Sequence, residues 1–192
     1  TQAYYDSGTW RATWKGEGGG VLINQAPHTI DMFLLLGGMP ATIAAKTRTR
    51  LHHIEVEDEA CALLEYPNGA WGYYYTTTNE LPSGYRLEFA GDRGKLVMTP
   101  EGIRFFRTEQ EISKATHTLK NMWDTLPVKE VAVKLPKPSN LGGHSQIIKN
   151  FCRAILYGET LISPGEDGMK SVEFINAMIY SGQKKKPVNL PL

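Results

Sequence analysis

Apolar side chains recur along this chain at two spacings, and the switch between them marks out the elements. Residues 18–36 are apolar enough to form a buried helix, yet Asn24, His28 and Asp31 fall at i, i+4 and i+7. That spacing lines side chains up on one helical face. Gly37-Gly38 ends the helix and Pro40 follows. From Thr42 to about Thr108 the pattern turns to strands. Residues 60–66 and 70–78 are joined by Pro67-Asn68-Gly69, a hairpin signal. Residues 85–90 and 95–99 flank the turn Gly91-Asp92-Arg93-Gly94, and residues 103–107 follow Thr99-Pro100-Glu101-Gly102. Such a meander means antiparallel pairing.

Residues 109–127 show no clean period and read as loop with a short helix, whereas residues 128–135 alternate as one more strand. Two helices close the chain. Ile147, Ile148, Phe151, Cys152 and Ile155 form the stripe of the first, with Gly158 as its stop. Ser163-Pro164-Gly165-Glu166 opens the second with a capping serine, a proline at the first helical position and a glutamate three residues after the cap. It continues to about Ser181 through Val172, Ile175, Met178 and Ile179. The first fifteen residues are aromatic and irregular. Strands in the middle and helices at both ends predict an α+β fold, with one open, mostly antiparallel sheet and helices packed on one face. Trp71, Tyr73 and Tyr75 share one side of a strand, and Gly72, Tyr74 and Thr76 the other. Large side chains on both sides predict that neither face sees much water, and a subunit interface is the expected cover.

Composition narrows the partners. The 192 residues suit one domain with a sizeable core. Twenty-one basic and twenty acidic side chains nearly cancel, and the one basic run, Lys184-Lys185-Lys186, fits a solvated helix end. No basic stripe with interleaved aromatics is present, which argues against nucleic-acid binding. Cys61 and Cys152 lie far apart in apolar contexts and read as buried free thiols, not as a disulfide or a metal site. With no signal peptide and no apolar run of spanning length, a soluble cytoplasmic protein is expected. The absence of an initiator methionine suggests a fragment.

The polar row in the first helix is the strongest chemical signal. A polar stripe within an apolar helix costs stability unless each member finds a partner or a ligand. Gly18-Gly19-Gly20 lets a backbone or a small molecule approach closely. A lone helical histidine is more often structural, but Asn24, Gln25, His28 and Asp31 cluster within two turns directly after the glycines. Pro27 predicts either a late helix start or a kink before His28. The stretch from Gly16 to Gly20 is not a dinucleotide fingerprint. It lacks the preceding βαβ strand, antiparallel strands follow it, and Asp31 comes too early to hold a ribose.

Trp-Arg-Ala-Thr-Trp at 10–14, the stretch from Gly18 to Asp31, Val-Glu-Asp at 56–58, Pro-Asn-Gly-Ala at 67–70, Glu-Phe-Ala-Gly-Asp-Arg-Gly at 88–94 and Lys-Pro-Val-Asn-Leu-Pro at 186–191 come in a familiar order. Together they resemble the C-terminal domain of the Gfo/Idh/MocA family of NAD(P)-dependent sugar and cyclitol oxidoreductases. The resemblance implies an N-terminal Rossmann domain, absent here, that binds NAD or NADP and carries a catalytic lysine. It implies that residues 1–192 form a single substrate-binding and oligomerising domain, inactive alone, that self-associates through its open sheet face. A secondary alcohol of a sugar, sugar derivative or cyclitol is the implied substrate, with no membrane or nucleic-acid partner. The family's catalytic histidine matches His28, which would act as general acid/base on the substrate hydroxyl. Asp31, one turn on, is implied to orient it or to touch substrate. Asn24 stands where many members have aspartate, so it can hydrogen-bond but not act as a base. Arg11 is a candidate for a substrate carboxylate or phosphate, and Trp10 and Gln25 are pocket candidates. No metal is expected. The alternative is a non-catalytic ligand-binding or oligomerisation domain of the same fold.

Overall fold

A computed structural model describes residues 1–135 and 142–192. Its helices are α1 (Gln2–Tyr5), α2 (Val21–Asn24), α3 (Pro27–Gly37), α4 (Ile112–Thr118), α5 (Gly143–Tyr157) and α6 (Gly165–Lys184). Its strands are β1 (Thr42–Arg48), β2 (Glu59–Glu65), β3 (Trp71–Thr77), β4 (Leu87–Gly91), β5 (Gly94–Thr99), β6 (Gly102–Thr108), β7 (Val128–Val131) and β8 (Val188–Asn189). The α+β class holds. The strands, however, form two antiparallel four-stranded sheets, ordered β3-β2-β1-β8 and β4-β5-β6-β7. Pro82, Ser83 and Gly84 between β3 and β4 supply the break, because such residues favour turns over ladder pairing. The two sheets belong to separate compact units, one of residues Thr1–Leu81 and Gly143–Leu192, the other of Pro82–Gly142.

In the first unit, β1 pairs with β2 and β2 with β3, so that Ala45, Ala62 and Tyr74 lie in register. The face bearing Ile43, Ala60, Ala62, Leu64 and Tyr74 is buried. Helix α6 packs against it with Phe174, Ile175, Met178 and Ile179. Phe33 of α3 completes an aromatic cluster, its ring 5.7 Å from Tyr74 and 6.1 Å from Phe174. Strand β8 reaches only Thr42 and Ile43. Beyond it the Ala45 amide donates to the buried Ser181 hydroxyl at 2.9 Å, and that hydroxyl donates to the Lys186 carbonyl at 2.7 Å. Gly182 permits the approach, since a Cβ there would meet the Thr47 hydroxyl at 2.6 Å.

The opposite face of this sheet is open. Trp71 is 74% and Tyr73 62% exposed in this single chain, because α3 and α6 both lie on the Tyr74 side; the cover expected for the Trp71 face is a subunit interface. Helix α5 is equally uncovered, with none of its fifteen residues buried. Cys152, expected to be buried, is therefore exposed, and Cys61 is half-buried. Helix α6 starts one residue later than predicted, with Pro164 as its N-cap.

The second unit is the predicted meander plus β7, which ends at Val131 and not at 135. Its β-ladder carries ion pairs, Arg86 and Lys95 on Glu88 and Arg104 on Glu130. Asp92 caps α4 by accepting from the Ser113 amide and hydroxyl, both at 2.7 Å.

Candidate functional site

The predicted helix over residues 18–36 is broken in two. Pro27 sits at the first position of α3, where its missing N–H costs nothing, and Gln25 and Ala26 separate α3 from the single turn of α2. Asn24 thus leaves the row of His28 and Asp31. The late start foreseen from Pro27 is what occurs.

The glycine run exists for a close backbone approach. Segment 56–58 crosses it, and a Cβ on Gly20 would lie 1.8 Å from the Glu57 carbonyl oxygen. That carbonyl accepts from the Val21 amide at 2.8 Å. The Glu57 carboxylate accepts from the amides of Gly20 and Leu22 at 2.8 and 3.2 Å. Burial pushes the Glu57 carboxyl up, only partly offset by those hydrogen bonds, and its second oxygen has no partner among the described residues. Its neighbour Asp58 behaves oppositely. Burial there is outweighed by donors from Asn79, the Leu51 and Arg50 amides and His52, which hold the carboxyl well below the usual range. Tyr5 packs beside this knot, its ring 4.8 Å from that of His52, and burial raises its phenol.

His28, the second residue of α3, is exposed, and its imidazole makes no hydrogen bond to the described residues. Asp31, also exposed, accepts from Ser171 of α6 at 3.2 Å, not from the histidine. Gln25 is exposed at the end of α2. Asn24 is held from two sides: its oxygen accepts from the Tyr4 hydroxyl at 3.0 Å and its amide donates to Glu17. The same Tyr4 hydroxyl accepts from Arg11 at 2.8 Å. The Arg11 guanidinium lies over the Tyr4 and Trp10 rings, 4.6 Å from each centroid, and Trp10 is 51% exposed. Arg11, Trp10 and Asn24 are therefore brought together, and Tyr4 is the link that sequence reasoning missed. Glu17 was missed too, taken up in the glycine pattern, and so was Glu57. The available signal for the latter was its place in the Val-Glu-Asp motif at 56–58.

Among the described residues no group of His, Cys, Asp and Glu could hold a metal ion, and no helix is long and apolar enough to cross a membrane. A dinucleotide pyrophosphate does not fit the glycine turn. The amides that would cradle it are engaged by Glu57.

An antiparallel sheet backed by helices, with an exposed histidine and an aromatic-clamped arginine before its first strand, defines an α+β domain without a nucleotide-binding fold among its described residues. A family model described as "Oxidoreductase family, C-terminal alpha/beta domain" matches residues 1–190, and the chain belongs to that family. Among solved structures it is similar to the WlbA dehydrogenase from Bordetella pertussis in complex with NADH and UDP-GlcNAcA. The identity is 23% with a TM-score of 0.73, over 100% of this chain and 51% of that one. The WlbA dehydrogenase from Chromobacterium violaceum, with the same two ligands, gives 24%, 0.75, 100% and 52%. Levoglucosan dehydrogenase with NADH and levoglucosan gives 23%, 0.71, 96% and 54%. At these identities the likeness concerns the fold. The chain spans about half the length of the solved proteins it matches.

Proposed function

We propose that this chain is the substrate-binding half of an NAD(P)-dependent oxidoreductase acting on a secondary alcohol of a sugar-like substrate, with His28 as general acid/base. Membership of the oxidoreductase family supports the reaction class. The observation that carries the role of His28 is its imidazole, exposed at the start of α3 and without a hydrogen-bond partner among the described residues. The nicotinamide, bound mainly by a separate domain, supplies the hydride acceptor. This chain's part is to take the hydroxyl proton on His28 in oxidation and to return it in reduction. Asp31, bound to Ser171, tethers α3 to α6 and leaves an oxygen for substrate. Arg11, Trp10, Asn24 and Gln25 supply the substrate-binding groups. Without the cofactor domain the chain is inactive.

The open face carrying Leu63, Trp71 and Tyr73 is the surface for a second copy, because large apolar side chains there otherwise face water.

The test uses the intact parent protein, a panel of sugars, sugar acids and inositols with NAD⁺ or NADP⁺, and the variant His28→Ala. Turnover is expected to fall by about a hundredfold or more, the scale of a lost general base. Turnover unchanged by the substitution overturns the role of His28, and ligand binding without any turnover favours the non-catalytic alternative.

A further inference from the structure

We propose that the substrate of this site carries an oxyanion, a carboxylate or a phosphate, and that Arg11 is the residue that reads it. The inference rests on the reading above and adds the charge of the substrate to it.

Its basis is a cation without a counter-charge. Arg48, Arg86, Arg93, Arg104 and Arg153 each close onto a glutamate. Arg11 meets no carboxylate among the described residues, although its side chain is half-buried. It is instead clamped by the Tyr4 and Trp10 rings, with Nη1 donating to the Tyr4 hydroxyl. The acid that comes nearest along this network is spent elsewhere. One oxygen of Glu17 holds the Asn24 amide and the other accepts the Ala12 amide.

A guanidinium has five N–H donors in a rigid fork and never gives up its charge at neutral pH. With one nitrogen pinned to Tyr4, the remaining donors present the geometry that grips two oxygens of one anionic group side by side. The aromatic clamp removes the rotamer freedom that an exposed arginine would lose on binding. The Tyr4 hydroxyl donates a hydrogen bond to the side-chain oxygen of Asn24, at the end of the turn that precedes His28. The anion reader is thereby anchored to the segment that carries the proposed base. A substrate held by its acid group on Arg11 is positioned relative to His28 by protein hydrogen bonds, not by shape alone.

The experiment compares, in the intact protein, glucose with glucuronate, galactose with galacturonate, and glucose with glucose 6-phosphate. Wild type is expected to favour at least one anionic member by about tenfold or more in kcat/KM, the scale of a charge-assisted pair of hydrogen bonds. Arg11→Gln is expected to bring that ratio close to one, and Arg11→Lys, which keeps the charge but not the fork, to leave it between. A uronate preference identifies a carboxylate and a phosphorylated-sugar preference a phosphate; either supports the proposal. Equal use of neutral and anionic members overturns it, as does a preference that survives in Arg11→Gln. If no compound is turned over, calorimetric binding of glucuronate and of inorganic phosphate decides. Binding that weakens at least tenfold in Arg11→Gln supports the site, whereas no binding, or none that depends on Arg11, overturns it. Silent turnover by itself counts against the dehydrogenase reading and leaves the anion site to the binding result.

Discussion

Helices α5 and α6 follow one another in the chain and both carry apolar residues at helical spacing, yet only α6 buries them. Phe174, Ala177 and Met178 of α6 are fully enclosed, while Phe151 of α5 is 55% exposed and Ile155 more so. The difference lies in what each helix meets. Helix α6 crosses β1 and packs on α3, held by the Ser181 hydroxyl and by the close approach at Gly182. Asn150 of α5 bonds to Thr160 and Ile162 of its own following loop, and Arg153 pairs with Glu159. Amphipathic periodicity states that a face needs a cover. It does not state which surface provides it.

Four measurements test this contrast. The largest effect is expected from the matched pair Phe174→Ala and Phe151→Ala. The first should cost about 3–5 kcal/mol in a denaturant titration, the range for emptying a packed aromatic site. The second should stay within about 0.5 kcal/mol, as for an exposed position. Equal losses would mean that α5 is buried after all. Next comes Ser181→Ala, which leaves the Ala45 amide unpaired beneath α6 and should cost about 1–3 kcal/mol. A loss below that range would move the anchoring of α6 entirely onto its apolar contacts.

A pH titration separates the packed core from its polar knot. Folding lowers the Asp58 carboxyl, so its contribution is present above the ordinary carboxylate value of about 4 and is lost as the pH falls below it. Amides of residues 50–52, which donate to Asp58 or sit beside it, should then exchange before those of α6. Glu57 has the opposite sign. Its raised carboxyl favours the fold at low pH and loses that contribution as the pH rises through its folded value. The difference in melting temperature between Glu57→Gln and wild type should therefore be more positive at pH 7 than at pH 4. This is the smallest effect, and a difference independent of pH would show that Glu57 is already charge-compensated.

Much of the fold was legible because its signals are local. The hairpin at Pro67-Asn68-Gly69 joins β2 to β3 with Glu65 opposite Trp71, and the three-stranded meander after it lies close to the predicted ranges. The split into two sheets was not legible, because alternation reports a strand but not its neighbour. For the candidate site, the segment was found and its internal geometry was not. Spacing placed Asn24, His28 and Asp31 on one helix, and Pro27 divided them. Glu57 was overlooked because its partners Gly20 and Leu22 are remote in sequence, and Tyr4 and Glu17 because the irregular backbone of the first twenty residues gives no period from which their contacts could be read.

Which residues have apolar neighbours at strand or helix spacing, where glycine and proline interrupt them, and which segment concentrates the polar groups can all be read from the order of amino acids. These are properties of φ, ψ and side-chain chemistry over a few residues. It took the folded chain to reveal that Glu57 fills the glycine turn, that Tyr4 couples Arg11 to Asn24, and that α6 is covered while α5 and the Trp71 face are exposed. Each of those outcomes depends on which distant segments meet, because a hydrogen bond or an apolar contact stabilises the fold only when its partner is brought within reach.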